Sequence, residues 1–163
     1  MLCCCHRVLD GIESIPETGR KIKSYKFFEN TEKENMLYKS THVNHPCNVW
    51  LRKSSGNYKW LYNLTIELCR NYTKRYNRCH LSYLKLIINS NVIEYLPENI
   101  KRGKMTMPPL AMPDKYKNEV RTFADILVSY RRFYTGSKSE FAKWNKCEDM
   151  PYWYKTMSLI HKK

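Results

Sequence analysis

Two stretches of this sequence interleave cations with flat rings. Arg70, Tyr72, Lys74, Arg75, Tyr76 and Arg78 fall in one short segment, and Tyr130, Arg131, Arg132, Phe133 and Tyr134 repeat the theme. Trp153, Tyr154 and Lys155 close it near the carboxyl end. Lys and Arg neutralise phosphates, and aromatic faces stack on unpaired bases, so this pairing is the chemistry of nucleic-acid contact. The competing reading turns the tyrosine rings inward and leaves their hydroxyls at the rim. A second grouping, His42-x-x-His45-Pro46-Cys47 with Cys79-His80 beyond it, has the donor atoms of a zinc site without its spacing. No C-x-x-C occurs, and Cys3-Cys4-Cys5 is too tight for three ligands on one ion. We therefore expect no metal and no cofactor, with His45 orienting a turn. Glu67 and His45 are the acid/base candidates, although the plainer expectation for Glu67 is a helical ion pair with Arg70, three residues on. A Gly-rich phosphate loop, a Walker motif and a nucleophile elbow are all missing from the sequence.

The charge points the same way. The 163 residues carry 29 Lys and Arg against 15 Asp and Glu, a net charge of +14. A surplus of that size repels itself in a compact chain and attracts phosphate at long range. It is spread along the chain through Arg20, Lys21, Lys23 and Lys26, Arg52 and Lys53, Lys101, Arg102 and Lys104, and Arg131 and Arg132, which predicts a folded basic face rather than a tail. Seven cysteines, with no secretory leader before them, predict reduced thiols in an intracellular protein. The sequons at Asn63 and Asn71 fall inside a predicted helix and read as chance. No run is long and apolar enough to span a bilayer, so no membrane partner is expected. Nothing in the sequence sets the oligomeric state.

These side chains must be held by helices. The pattern predicts an all-α, single compact domain over 1–163, with four to six helices and long irregular loops at 11–40 and 90–114. Residues 1–10 read as a helix stopped by Gly11. A short strand is expected over 22–28, and a short helix from the His45-Pro46 turn through Trp50. The clearest helix runs from an Asn57 N-cap to Tyr76, with Trp60, Leu61, Leu64, Leu68 and Tyr72 at helical spacing. Others are expected at 81–89, 117–134 (ended by Gly136) and 137–146. Four prolines mark 90–114, and a loop of that length in a small domain is more often functional than idle.

As a set, several blocks resemble a family of uncharacterised phage and large-virus proteins. They are Thr41-His42-Val43-Asn44-His45-Pro46-Cys47-Asn48-Val49-Trp50, Asn57-Tyr58-Lys59-Trp60-Leu61, the Cys69–Tyr76 run, Ala111-Met112-Pro113-Asp114-Lys115-Tyr116, Ser129–Tyr134, Phe141-Ala142-Lys143-Trp144 and Pro151-Tyr152-Trp153. The resemblance spans roughly residues 2–155 and implies that this chain begins inside the family's first conserved helix. Over Pro151, Trp153, Tyr154 and Lys155 alone, the carboxyl end is similar to the phage pyrimidine-dimer DNA glycosylase, a small, basic, helical enzyme. That likeness implies a viral, DNA-binding protein of the base-processing kind, with DNA a better ligand than RNA. The amine nucleophile of that enzyme has no counterpart here. The expected nucleic-acid contacts are Arg52, Arg70, Arg75, Arg131, Lys143, Trp144 and Trp153, and the expected pocket residues are His45, Trp50, Asn57, Tyr58, Tyr72 and Tyr130. Two alternatives stand beside this reading: an enzyme acting on a nucleotide or modified base, and a non-catalytic basic protein that binds a genome or an acidic partner.

Overall fold

The computed structural model of the chain describes residues 1–15, 17, 23–28, 31–144, 146 and 150–160, and at 160 the backbone alone. The expectations placed on Arg20, Lys21, Ile22, Asn145 and Cys147 lie outside these residues. The protein is mostly helical, as its periodicity predicts. Among the described residues there are seven α-helices, rather than four to six, and one two-stranded sheet. The chain separates into two compact units, Met1–Thr106 and Met107–Lys163.

In the first unit α1 (Leu2–Asp10) turns Leu2, Cys3, Cys4, Cys5, His6 and Arg7 inward and ends where the Gly11 N–H bonds back to the Arg7 carbonyl. Burying two polar side chains there requires partners for them. Arg7 finds five. Its guanidinium donates to the carbonyls of Tyr38, Tyr25, Glu34 and Leu37 and to the Glu34 carboxylate at 2.6 Å. Those partners lie in a segment expected to be irregular. The segment 11–40 instead holds the antiparallel strands β1 (Ile12–Ser14) and β2 (Ser24–Lys26), paired Ile12 to Lys26, and α2 (Glu32–Met36). β2 lies within the strand expected over 22–28, whereas β1 and α2 were not expected; Arg7 supplies a buried anchor for β2 and α2.

The helix α3 (Pro46–Leu51) starts at His45, whose Nδ1 accepts from the Cys47 N–H, with Pro46 in its first turn. A short turn leads to α4 (Ser55–Tyr76). Ser54 caps α4 through its hydroxyl, so Asn57 lies within the first turn and not at the cap. Asn77 ends α4 in the left-handed conformation, φ 49°. Residues 81–89 are helical, as expected, in the form of α5 (Leu81–Tyr83) running into one π-helical turn at Leu84–Ile88. The core gathers Leu2, Cys3, Cys5, Leu37, Trp50, Leu51, Tyr58, Leu86, Ile93 and Ile100. Leu64 and Leu68, which recur at helical spacing along α4, are exposed.

In the second unit α6 (Phe123–Thr135) begins six residues later than predicted. Asp125 accepts from the backbone N–H groups of Arg121 and Thr122 and from the Thr122 hydroxyl, which fixes the start. Residues 117–121 are not helical, and Ser129 Oγ accepts from the Asn118 N–H there. Gly136 ends α6 as expected. The helix expected over 137–146 reduces to one 3-10 turn, Ser139–Phe141. The final aromatic run enters α7 (Tyr152–Ile160), which packs on α6.

Candidate functional site

The amino end of α4 is clasped by the segment 101–106. The Ser55 N–H donates to the Lys101 carbonyl (2.9 Å) and the Gly56 N–H to the Gly103 carbonyl (3.0 Å). Ser54 Oγ donates to the Lys104 carbonyl, and Ser55 Oγ accepts from the Gly103 N–H. Asn57 is fully buried beneath this clasp. Its Nδ2 donates to the Trp50 carbonyl at 2.7 Å and its Oδ1 accepts from the Thr106 N–H at 2.8 Å, while Trp50 Nε1 donates to the Thr106 carbonyl. No side chain fits between the two backbones at Gly56, where a Cβ would overlap the Met105 nitrogen and the Lys104 carbonyl carbon.

The clasp fixes the backbone of a basic segment and leaves its side chains in solvent. Lys101, Arg102 and Lys104 are all exposed, as are Lys53 and Lys59 on either side of the helix start. None of the five has an ion pair among the described residues. The first turn of α4 holds no acidic residue. The amino end of a helix carries a partial positive charge and ordinarily favours carboxylates. Here five cations with no ion pair among the described residues flank that end instead.

The expected pocket residues part company at this point. Trp50, Asn57 and Tyr58 are buried and spend their polar atoms inside the first unit. The Tyr58 hydroxyl donates to the Ile93 carbonyl at 2.8 Å and lies 2.8 Å from His6 Nε2. Burial is the chief cause holding His6 at a pKa of about 4 and pushing the Tyr58 hydroxyl far above its ordinary value. His6 is therefore neutral at pH 7, and Nε2 carries its proton toward Tyr58. Those three side chains were read as pocket because Trp, Asn and Tyr suit a base equally well; at full burial the same groups become core fasteners.

His45 lines an open cleft with Lys23, Tyr25, Ser40, Thr41 and His42. Arg70 and Glu67 line a different one, with Trp60, Asn63, Tyr83 and Glu94. His45 and Arg70 thus do not share a cleft. Glu67 and Arg70 form an ion pair that is more than half exposed on both sides, the plainer of the two expectations. Arg52 reaches back to the Val43 carbonyl, and Tyr72 packs against Tyr76 and His80. The Arg75 guanidinium lies over the Tyr76 ring. No group of three metal-ligating side chains occurs among the described residues.

In the second unit Arg131 covers the Trp153 ring at 5.3 Å, and Tyr154 is buried between the edges of Trp153 and Trp144. Trp144 Nε1 is itself buried without a hydrogen-bond partner among the described residues. The Tyr130 hydroxyl donates to the Pro109 carbonyl. Arg131, Trp144 and Trp153 therefore form the packing of this unit, while Lys143 is exposed. The residues that spacing did not single out are Phe141 and Tyr152, the two most exposed rings of the described chain at 76% and 83%.

No family model, curated protein or solved structure matches this chain.

Proposed function

We propose that this protein binds the sugar-phosphate backbone of nucleic acid, through Lys101, Arg102 and Lys104 with Lys53 and Lys59 beside them. The observation that carries the reading is the gathering of five unpaired cations at the positive end of α4, on a backbone held by the Ser54, Ser55 and Asn57 clasp. Pre-ordering the segment lowers the entropy lost on binding, and each phosphate neutralised releases counterions. The net charge of +14 supplies long-range attraction. DNA is the first ligand to test. The free thiols at Cys3, Cys4, Cys5 and Cys69, all buried, support an intracellular setting, and no helix among the described residues is long and apolar enough to cross a membrane.

A base-processing reaction would need a proton-transfer group facing the bound strand. Glu67 is engaged with Arg70, and the Nδ1 of His45 accepts from the Cys47 N–H. The proposal therefore extends to binding and not to catalysis. Fluorescence anisotropy with a labelled oligodeoxynucleotide across a salt series tests it. The wild-type chain should bind at low salt with affinity that falls steeply with ionic strength. The triple variant K101Q/R102Q/K104Q should flatten the log–log slope by about two to three, close to one per cation removed. No affinity at low salt, or affinity indifferent to salt, defeats the reading.

A further inference from the structure

We infer that the second unit takes unpaired bases of a single strand, stacked on the exposed faces of Phe141 and Tyr152. The inference rests on the phosphate-binding reading above and adds to it the class of nucleic acid. The described part of this unit buries few large apolar side chains, with Met112, Ile126 and Tyr154 at its centre. Tyr154 goes inward against Trp144 and Trp153, and Tyr116 packs on Phe133. Phe141 and Tyr152 are left out of that packing, three-quarters or more exposed. Phe141 has no polar atom to hold it in water, so its exposure costs free energy that an apolar partner would recover.

The charges beside these rings say which partner. The Lys138 ammonium lies 5.4 Å from the Phe141 ring centre and 5.5 Å from that of Phe133. Lys155 follows Tyr152 by one helical turn in α7 and is exposed. Among the described residues of this unit, most carboxylates are engaged at home: Asp114 with Lys117, Glu119 with Arg121, and Asp125 with the start of α6. Glu140 is exposed beside Phe141. A ring with a cation over or near it is matched by a nucleobase with its phosphate, a flat apolar face with a negative charge one sugar away. In a duplex the base faces are covered by their neighbours and cannot reach an isolated ring, so such a site distinguishes single strands from duplexes.

The test compares the full chain with Phe141→Ala, Tyr152→Ala and the double variant on a single-stranded oligodeoxynucleotide carrying 2-aminopurine and on the same sequence as a duplex. The wild-type protein should favour the single strand and quench the 2-aminopurine. Either ring removal should lower single-strand affinity about tenfold, with duplex affinity and the salt slope unchanged. Because both side chains are exposed, melting curves of the variants should overlay the wild type, which separates lost stacking from lost folding. Equal affinity for the two forms in the wild type, or full single-strand affinity in the double variant, overturns the stacking site while leaving phosphate binding intact. A wild-type chain that self-associates through these rings and becomes monomeric on their removal also overturns it. Absence of binding to either oligonucleotide defeats the phosphate reading itself.

Discussion

Replacing Arg7 by methionine strips the first unit of a fully committed buried cation. The guanidinium has five N–H donors, and all five are used: Nε to the Tyr38 carbonyl at 2.8 Å, Nη1 to the Tyr25 carbonyl and the Glu34 carboxylate, and Nη2 to the carbonyls of Glu34 and Leu37. Those bonds tie α1 to β2, to α2 and to the chain after α2. Methionine fills a similar length and takes the Arg7 donor away from each of these acceptors. Removing one member of a buried ion pair costs about 3–5 kcal/mol. The Glu34 side chain is 25% exposed and keeps the Phe27 N–H at 2.8 Å, so water recovers part of its solvation and the lower end, about 3 kcal/mol, is expected. A loss of that size shifts the melting midpoint of a domain of this size down by on the order of 15 °C. Urea and thermal melts followed by circular dichroism read both quantities. Arg7→Lys should recover only part of the loss, because one ammonium has three donors and no fork. Stability of Arg7→Met within about 1 kcal/mol of wild type would refute the reasoning, since it would mean that desolvating the guanidinium costs as much as its bonds return.

Gly56→Ala should destabilise the chain by at least about 2 kcal/mol and weaken DNA binding, because the new Cβ overlaps backbone atoms of Lys104 and Met105 that cannot swing aside. Gly103→Ala, where the nearest atom is the Ser54 Cβ at 3.6 Å, should melt close to wild type; equal melts for the two variants would sink the clasp. Asn57→Ala orphans the Thr106 N–H in a buried site and leaves the Trp50 carbonyl only the Lys53 N–H, for a loss of about 2 kcal/mol in a urea titration, and wild-type stability would show that the clasp does not depend on it. Stability should also fall on acidification. His6, depressed from 6.5 to about 4 chiefly by burial, takes up its proton more readily in the unfolded chain, so its contribution is whole above pH 6.5 and lost as the pH falls toward 4. Glu34, held below its ordinary 4.5 chiefly by the hydrogen bond from Arg7, adds a loss below that value as the pH falls through its folded pKa. A urea midpoint flat between pH 7 and 5, or one whose slope survives His6→Phe, contradicts the His6 assignment.

Local pattern determined a good deal here. The mostly helical class, the stop at Gly11, the turn from His45-Pro46 into α3, the end of α4 near Tyr76 and of α6 at Gly136 all follow from caps, breakers and periodicity within a few residues of each other. The net charge determined the polyanion reading, and the Glu67–Arg70 spacing determined their exposed ion pair. What tertiary structure alone decided is which face of each segment water sees. Spacing put Leu64 and Leu68 on one stripe of α4 with Leu61, and both are exposed, while Trp50, Asn57 and Tyr58, expected at a pocket, are buried. β2 falls within the strand expected over 22–28, but its partner β1 and the helix α2 were illegible, because Arg7, which bonds to β2 and α2, reads by itself as an ordinary surface cation. Lys101, Arg102 and Lys104 were visible as charge, but their collection at the start of α4 depends on Ser54, Ser55 and Asn57 some fifty residues earlier, bonded to backbone atoms whose partners no side-chain pattern encodes. Composition fixes how much charge a chain carries; only long-range backbone pairing fixes where that charge is left without a counterion.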